Sequence, residues 1–264
     1  MKYKLSIFYL ALIVAGFNLN AQTLKDSLFE KREFIIENDT LLYRIMYPEN
    51  FSEDQEYPVV LFLHGAGERG NDNNTQLALG SSLFTSSENR KKYPSIVVYP
   101  QCPKNDYWAN LTADRTVKPI SFTFKNGGEP NKSLKLTMLL LDELIAKPFT
   151  KNNQIYVMGV SMGGMGTYEI LYRKPTTFAA AIPICGGGDP ETTKKYALNT
   201  ELWIFHGGND DVVSPHLSIN MVNSILLNGG KPNFTLFGKD NHNSWDSTFA
   251  EPNLLPWLFT KIKN

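Results

Sequence analysis

The feature that most constrains the fold is a series of short, continuous apolar runs, each ended by a glycine, a histidine or a polar loop. The runs cover residues 58–63, 95–99, 154–160, 178–184, 202–205 and 233–237. Strands that are apolar on both faces belong to parallel sheets that helices cover on both sides. The sequence therefore predicts a largely parallel sheet, with ligand chemistry at the carboxyl ends of its strands.

Segments with helical spacing of apolar residues alternate with these runs. They are residues 131–147, 162–174, 215–228 and 254–262. Pro175 ends the second segment, and Ser214 with Pro215 supplies an N-cap and a first-turn proline for the third. A β-hairpin around Asn38 and Asp39 precedes the alternation. The pattern predicts one doubly wound α/β domain with about eight mostly parallel strands and helices on both faces.

The first residues have the layout of a secretory signal peptide. Two lysines precede an apolar run over residues 5–17, and Ala21 offers a small residue before a cleavage point. A membrane anchor is the alternative, but this run is short for a bilayer that needs about 20 residues. We expect a signal peptide over residues 1–21, one domain over residues 22–264 and a secreted or periplasmic location. After cleavage we expect no stable membrane insertion.

Charge and cysteine content exclude several classes of protein. The chain has 26 Lys and Arg against 26 Asp and Glu, so no basic excess favours a nucleic-acid partner. Two cysteines cannot build a disulfide scaffold or a four-cysteine metal site. Cys102 and Cys185 follow strands that we place three positions apart, which separates their Cα atoms by about 14 Å. We expect free thiols because this separation exceeds disulfide reach, although an oxidising compartment leaves a bridge as the alternative.

A candidate nucleophile lies between a strand and a helix. Residues 159–163 have the sequence Gly-Val-Ser-Met-Gly, at the end of one apolar run and directly before a helical segment. A serine on such a turn exposes its hydroxyl, and the helix N-terminus adds positive partial charge beside it. This context favours Ser161 as a nucleophile over the alternative, a glycine-rich turn with a capping serine.

An acidic loop follows a later strand. Asp210 and Asp211 come after the run 202–205, within the sequence FHGGNDD. A strand-end loop can supply the carboxylate that orients an imidazole and stabilises its cation. Both aspartates qualify by position, and the alternative for either is a turn residue that bonds its own backbone.

The chain has four histidines, and they differ in position. His64 and His206 end strands in His-Gly pairs, where the side chain more often satisfies loop backbone groups. His216 lies early in a predicted helix. Only His242 lies in a loop after the acid, which gives the chain order serine, aspartate, histidine of the strand–elbow–helix fold. We predict His242 as the base, with a solvated loop histidine as the alternative.

A glycine-rich loop after the first apolar run is a candidate oxyanion hole. It has the sequence HGAGERG over residues 64–70. The backbone N–H of Ala66 or Gly67, together with that of Met162, could bind a developing oxyanion. One such donor is typically worth about 10²–10³ in rate. The alternative is a plain glycine-rich turn.

Five motifs in order resemble the α/β-hydrolase superfamily: LFLHGAGERGND, GVSMGG, IPICGGGDP, FHGGNDDVVS and DNHNSWD. The chain is similar to secreted esterases and predicted peptidases near the dienelactone-hydrolase, phospholipase/carboxylesterase and polyhydroxybutyrate-depolymerase-like branches. The resemblance implies an α/β-hydrolase fold with Ser161 as nucleophile, Asp210 as acid and His242 as base. It implies backbone oxyanion donors after the first His-Gly pair and at Met162, and no metal or organic cofactor. Many relatives have proline directly after Val-Val of the acid loop, whereas Ser214 intervenes here, so Asp211 stays an alternative.

These residues together predict a serine hydrolase that cleaves carboxylic esters in two steps through an acyl-enzyme. A serine peptidase of the prolyl-oligopeptidase type uses the same three side chains and is the first alternative. A non-catalytic binding protein on a hydrolase fold is the second alternative, although such proteins usually lose a member of the triad.

The expected substrate follows from the segment lengths and from the aromatic residues. Residues 186–200 are too few for a large cap domain, so we expect an open cleft that suits bulky or polymeric substrates. Tyr107, Trp108 and Phe124 lie in residues 101–130, a long aperiodic segment. Trp108 and Trp245 are our candidates for substrate binding, with core packing as the alternative. We expect an ester substrate, carbohydrate-linked or similarly bulky.

Overall fold

An eight-stranded sheet forms the centre of the protein. The structure, a computed structural model, describes residues 27–263, and the signal peptide expected over residues 1–21 lies outside them. The strands of this sheet are β1 (Glu30–Ile36), β2 (Asp39–Met46), β3 (Tyr57–Leu63), β4 (Ile96–Pro100), β7 (Thr150–Val160), β8 (Ala180–Ile184), β9 (Glu201–Gly207) and β10 (Asn233–Phe237). Their order is β1-β2-β4-β3-β7-β8-β9-β10. The pairings β1–β2 and β2–β4 are antiparallel and the others are parallel. The predicted fold class is confirmed.

Four of the helices correspond to the segments predicted from apolar spacing. The helices are α1 (Ser81–Thr85), α2 (Ser87–Lys92), α3 (Lys132–Ile145), α4 (Met162–Arg173), α5 (Pro215–Leu227), α6 (Trp245–Phe249) and α7 (Leu254–Thr260). The sequence missed α1, α2 and α6 because a helix of five or six residues shows too little periodicity. α5 begins at Pro215 as predicted, but the Ser214 side chain makes no capping hydrogen bond. None of the helices within residues 27–263 is long and apolar enough to cross a membrane.

The core lies on both faces of the sheet. β3 sends Val59 and Leu61 into one apolar cluster and Val60 and Phe62 into the other, because successive side chains of a strand point to opposite faces. Residues of α3, α4 and α5 fill the first cluster, whereas α1 and α7 contribute to the second. This two-sided burial explains why the central strands are continuously apolar.

The aperiodic segment 101–130 contains a short hairpin. Its strands β5 (Leu111–Asp114) and β6 (Ser121–Phe124) pair antiparallel. The backbone N–H of Ile120 donates a 3.0 Å hydrogen bond to the carbonyl of Val212, and Ile120 forms an isolated parallel bridge with Val213. The hairpin is therefore attached to the loop that follows β9.

The connection between β8 and β9 is short, as predicted. Its regular structure is one 3₁₀ turn, Pro190–Lys195, so no large cap domain covers the carboxyl edge of the sheet there. Cys102 and Cys185 follow β4 and β8, which are three positions apart in the sheet, and both thiols are buried and unpaired.

Candidate active site

Ser161 is held on a sharp turn between β7 and α4. Its backbone has φ 54° and ψ −114°, which lies outside the regions favoured by residues with a Cβ. The Ser161 N–H donates to the carbonyl of Ile184 at 2.8 Å and so fixes the turn to the neighbouring strand. A Cβ at Gly163 would lie 1.9 Å from the Leu63 carbonyl oxygen, and one at Gly159 would lie 2.1 Å from the Gly163 carbonyl oxygen. The flanking glycines are therefore required by close backbone approach.

The structure brings Ser161, His242 and Asp210 into one hydrogen-bonded chain. Oγ of Ser161 lies 2.9 Å from Nε2 of His242. Nδ1 of the same imidazole lies 2.7 Å from Oδ2 of Asp210. A nucleophile beside a base that a third group orients is the arrangement needed for covalent catalysis. The three side chains come from loops after β7, β9 and β10, which all open at the carboxyl edge of the sheet.

Asp210 is the aspartate that faces the imidazole. It is buried, and its Oδ1 accepts hydrogen bonds from the N–H groups of Val212 and Val213 at 2.9 and 2.8 Å. Burial alone would raise the pKa of this carboxyl, but hydrogen bonds from His206 and His242 outweigh burial and hold the pKa well below its ordinary value. Asp210 is therefore a carboxylate at neutral pH.

Asp211 points elsewhere. It is exposed, and it contacts the histidine loop through its backbone, since its N–H donates to Oδ1 of Asn241 at 3.1 Å. The same Oδ1 accepts the His242 N–H at 2.7 Å. A Cβ at Gly207 would lie 2.2 Å from the Asn241 carbonyl oxygen, so the acid loop and the histidine loop are in backbone contact. Glycine at position 207 allows the loops to approach closely enough for the chain of hydrogen bonds.

The predicted oxyanion residues lie beside the serine. Ala66 and Gly67 line a cavity of about 280 Å³ that Ser161 and His242 also line. Met162 occupies the first position of α4, where a backbone N–H has no partner within the helix, and its side chain is buried. The backbone N–H groups of Ala66, Gly67 and Met162 therefore stay candidates for binding an oxyanion.

The aromatic wall of this cavity differs in part from the sequence prediction. Trp245 lines the cavity and meets the His242 ring edge-on, with ring centroids 5.4 Å apart. The prediction that Trp108 binds substrate was wrong, and the alternative of core packing holds. Trp108 is completely buried, and its Nε1–H donates to the His64 carbonyl at 3.0 Å. Tyr107 lines the cavity, whereas Phe124 packs against the small apolar cluster around Ala109.

Most of the outer cavity wall could not be predicted from the sequence. The hairpin contributes Arg115, Ile120 and Phe122, and Leu79 lies in the chain that precedes α1. The only sequence signal for the hairpin residues is the length of the aperiodic segment 101–130. Their position depends on the attachment of the hairpin to the acid loop, which no local pattern encodes.

The two histidines that end strands have different surroundings. His64 is buried: its Nδ1 lies 2.7 Å from the Gly65 carbonyl, and its Nε2 accepts the Cys102 N–H at 3.0 Å. Burial lowers its pKa to about 4, so the ring is neutral. His206 is also buried, but its Nε2 lies 2.9 Å from the Val213 carbonyl and 3.2 Å from Oδ2 of Asp210. The contact of His206 with Asp210 could not be predicted from the sequence pattern.

The described residues contain no group of three or more His, Cys, Asp or Glu side chains that could hold a metal ion. The site is built instead from a hydroxyl, an imidazole, a carboxylate and backbone N–H groups. These are the parts that acyl transfer requires.

Comparisons with known proteins identify the family and the fold that this chain shares. The model of the phospholipase/carboxylesterase family matches residues 50–251. A thermostable esterase of known structure is 33% identical with a TM-score of 0.81, and the match covers 91% of this chain and 64% of that chain. The present chain thus spans less than two thirds of the length of that esterase. No curated protein matches the chain.

Two more distant structures share the fold. A ferulic acid esterase is 15% identical with a TM-score of 0.62, over 87% of this chain and 97% of that chain. An acylaminoacyl peptidase from Pyrococcus horikoshii is 17% identical with a TM-score of 0.59, over 90% of this chain and 42% of that chain. At these identities the likeness concerns the fold alone.

Proposed function

The chain belongs to the phospholipase/carboxylesterase family of α/β-hydrolases, and from this premise we propose that it cleaves carboxylic esters through an acyl-enzyme formed on Ser161. The observation that carries the proposal is the continuous hydrogen-bonded chain from Ser161 Oγ through His242 to Asp210, at 2.9 and 2.7 Å. The Ser161 end of this series of hydrogen bonds lines a cavity of about 280 Å³ that a substrate can enter.

The first half of the reaction acylates the serine. Nε2 of His242 takes the proton of the Ser161 hydroxyl as Oγ attacks the ester carbonyl carbon. The carbonyl oxygen becomes an oxyanion, which the N–H of Met162 and that of Ala66 or Gly67 stabilise. The imidazolium then gives its proton to the leaving alcohol oxygen as the ester C–O bond breaks.

The second half of the reaction hydrolyses the acyl-enzyme and releases the carboxylic acid product. His242 removes a proton from a water molecule, and the resulting oxygen attacks the acyl carbon. The tetrahedral intermediate collapses when the proton on Nε2 returns to Ser161 Oγ. Asp210 stays ionised throughout, so its charge stabilises the imidazolium in both halves.

The proposed substrate class is an ester on a bulky molecule, such as an acyl group on a polysaccharide. The short connection between β8 and β9 leaves the carboxyl edge without a cap domain, which favours substrates larger than the cavity itself. Aromatic side chains of Tyr107, Phe122 and Trp245 line the cavity and offer surfaces for a sugar or phenolic ring.

A secreted or periplasmic location is part of the proposal. It depends on the predicted signal peptide over residues 1–21, which also sets the domain at residues 22–264. Expression of the full chain in a bacterial host and N-terminal sequencing of the exported product would test it. Product that begins at Gln22 supports the location, and uncleaved cytoplasmic product contradicts it.

The catalytic proposal is tested with two substrate panels and one active-site probe. Wild type and Ser161→Ala are compared on chromogenic esters, acetylated and feruloylated glycans, and aminoacyl nitroanilides. We expect ester and glycan cleavage by wild type and loss of at least about 10³ in kcat for the variant. Preferential cleavage of the nitroanilides would instead indicate a peptidase. Absence of fluorophosphonate labelling of wild type would indicate a non-catalytic binding protein.

A further inference from the structure

One cation stands at the mouth of the catalytic cavity. Arg115 lies in the turn between β5 and β6, and it is the one Lys or Arg among the residues that line the cavity. It is exposed, and it forms no ion pair with a carboxylate of the described residues. Its charge is therefore available to a bound molecule.

The turn that carries Arg115 is held in place from both ends. Oδ1 of Asp114 accepts hydrogen bonds from N–H and Oγ1 of Thr116 at 2.9 and 2.6 Å, which braces the turn itself. The Ile120 N–H donates to the Val212 carbonyl, two residues beyond Asp210. The backbone that carries Arg115 is thus attached to the acid loop, although the hairpin is at the surface.

The other charged residue of the cavity does not neutralise Arg115. Glu68 lines the same cavity, but its Oε2 is shielded from solvent and faces Gly65 of its own loop. Burial raises the pKa of this carboxyl. Burial raises the pKa of the Tyr107 phenol, and the charge and a hydrogen bond of Arg115 oppose this rise only in part. The phenol is therefore uncharged at neutral pH and does not neutralise the guanidinium.

We propose that Arg115 binds a negatively charged group on the substrate, so that the preferred esters carry a carboxylate near the scissile bond. If the substrate is a bulky ester as proposed above, a carboxylate near the scissile bond makes it an acidic polymer, such as a polysaccharide that contains uronate residues. The inference rests on the proposed esterase function and specifies its substrate. A guanidinium pairs with a carboxylate through two parallel hydrogen bonds, which adds orientation to attraction.

The test compares esters that differ only in one carboxylate. One pair is 4-nitrophenyl butyrate and mono-4-nitrophenyl succinate, with the charge in the acyl part. The second pair is phenyl butyrate and 4-carboxyphenyl butyrate, with the charge in the alcohol part. We expect Arg115→Gln to lower kcat/KM about three- to tenfold for the anionic member of one pair, chiefly through KM, and to leave the neutral members within about twofold. The preference of wild type should shrink as salt rises.

Lys125→Gln is the matched control, because Lys125 lies just beyond the same hairpin but outside the cavity. It should leave all four esters unchanged. Equal anionic-to-neutral ratios for wild type and Arg115→Gln in both pairs would overturn the inference while leaving the esterase proposal intact. Failure of all four esters with wild type would instead contradict the esterase proposal.

A second inference concerns His206, whose geometry is independent of the cavity. Nε2 of His206 lies 2.9 Å from the Val213 carbonyl and 3.2 Å from Oδ2 of Asp210, the oxygen that also meets His242. Nδ1 lies 2.7 Å from Oγ of Ser218, which lies 3.2 Å from the carbonyl of Gly186. His206 and Ser218 are fully buried.

This arrangement makes His206 a link between the acid and three structural elements. The ring stands on β9, Ser218 is in the first turns of α5, and Gly186 follows β8. The Asp210 carboxylate has less freedom to rotate when its Oδ2 accepts from two N–H groups, those of His206 and His242. We therefore infer that His206 is a positioning residue. It keeps Oδ2 of Asp210 directed at Nδ1 of His242 and itself touches no reacting atom.

The test separates positioning from simple support of the fold. His206→Leu removes the donor, whereas His206→Gln can return an N–H near the position of Nε2. We expect His206→Leu to lower kcat about ten- to a hundredfold with KM within about twofold, since only the orientation of the base changes. His206→Gln should recover most of that loss. The downfield proton resonance of His242 Nδ1 should weaken in the leucine variant and persist in the glutamine variant.

Ser218→Ala supplies a milder variant that keeps the ring in place. It should lower kcat by a few-fold, because Nδ1 loses its anchor. If His206→Leu does not fold, the glutamine and Ser218→Ala variants decide the question. A leucine variant with unchanged kcat, or glutamine and Ser218→Ala variants without a graded effect, would overturn the inference.

Discussion

Oδ2 of Asp210 lies 2.7 Å from Nδ1 of His242, and the Asp210 side chain is completely buried. The next residue in the chain, Asp211, is exposed and meets the histidine loop through its backbone N–H. Two adjacent aspartates with the same sequence context therefore have different surroundings, and this difference gives a direct comparison.

We predict that Asp210→Asn lowers kcat by about 10³–10⁴, because an uncharged amide cannot stabilise the imidazolium. Asp211→Asn should leave kcat within about twofold. Steady-state hydrolysis of a chromogenic ester measures both, and circular dichroism checks that both variants fold. A larger loss for Asp211→Asn would show that the acid had been assigned to the wrong residue.

Stability in acid should depend on Asp72. Its carboxylate accepts hydrogen bonds from the N–H groups of Asn74 and Thr75, from Nε2 of Gln101 at 2.7 Å and from the Thr75 hydroxyl. Burial would raise the pKa of Asp72, but these hydrogen bonds outweigh it and hold the pKa well below its ordinary value. A depressed folded-state pKa stabilises the protein above the unfolded-state pKa of about 4, and this contribution is lost as pH falls further.

Asp72→Asn should therefore reduce the free energy of unfolding at pH 7, and the difference from wild type should shrink below about pH 4. Urea denaturation at several pH values measures it. Asp54→Asn is the control, because the Asp54 side chain is exposed and makes no hydrogen bond or ion pair within residues 27–263. A difference between wild type and Asp72→Asn that grows as pH falls would contradict the prediction.

The turn at Ser161 should not tolerate a larger residue at Gly163. An added Cβ would lie 1.9 Å from the Leu63 carbonyl oxygen and 2.8 Å from that of His64, and backbone atoms cannot move aside cheaply. We expect Gly163→Ala to cost about 3 kcal/mol or more in unfolding free energy. Gly238→Ala is the control, since nothing lies within 4 Å of its added Cβ. Thermal denaturation that shows equal midpoints would contradict the close approach.

The two tryptophans near the site should behave in opposite ways. Trp245 lines the cavity, so Trp245→Ala should raise KM for aromatic esters several-fold. Trp108 is completely buried, so Trp108→Ala should cost about 3–5 kcal/mol of stability. Kinetics at a temperature where both variants are folded, together with denaturant titration, separates the two effects. A KM effect in Trp108→Phe that exceeds that of Trp245→Ala would reverse the assignment.

The thiols should be unreactive in the folded protein. Burial raises the pKa of Cys102 to about 12 and also raises that of Cys185. Because the thiolate is the nucleophile, both groups should react with a disulfide reagent only after unfolding. Under non-reducing, denaturing conditions we expect two thiols per chain. Recovery of no thiols would show that the cysteines pair, although β4 and β8 are three positions apart in the sheet.

Much of the fold could be predicted because its signals are local. The apolar runs mark β3, β4 and β7 to β10, and the spacing of apolar residues marks α3 to α5 and α7. The serine stands out for the same reason, since glycines on a strand-to-helix turn form a contiguous pattern. The roles of Ser161, Asp210 and His242 in catalysis stay predictions, although the structure places the three side chains within hydrogen-bonding distance.

What the sequence determined by itself was the strands of the central sheet, the longer helices and the edge of the sheet on which the polar loops meet. Tertiary structure alone decided which aspartate faces His242, that Trp108 is buried, that Arg115 reaches the cavity and that His206 reaches Asp210. The physical reason is the distance along the chain over which each kind of interaction acts. Periodicity and turn chemistry act over a few neighbouring residues, whereas the direction of a loop side chain depends on packing between segments far apart in the chain.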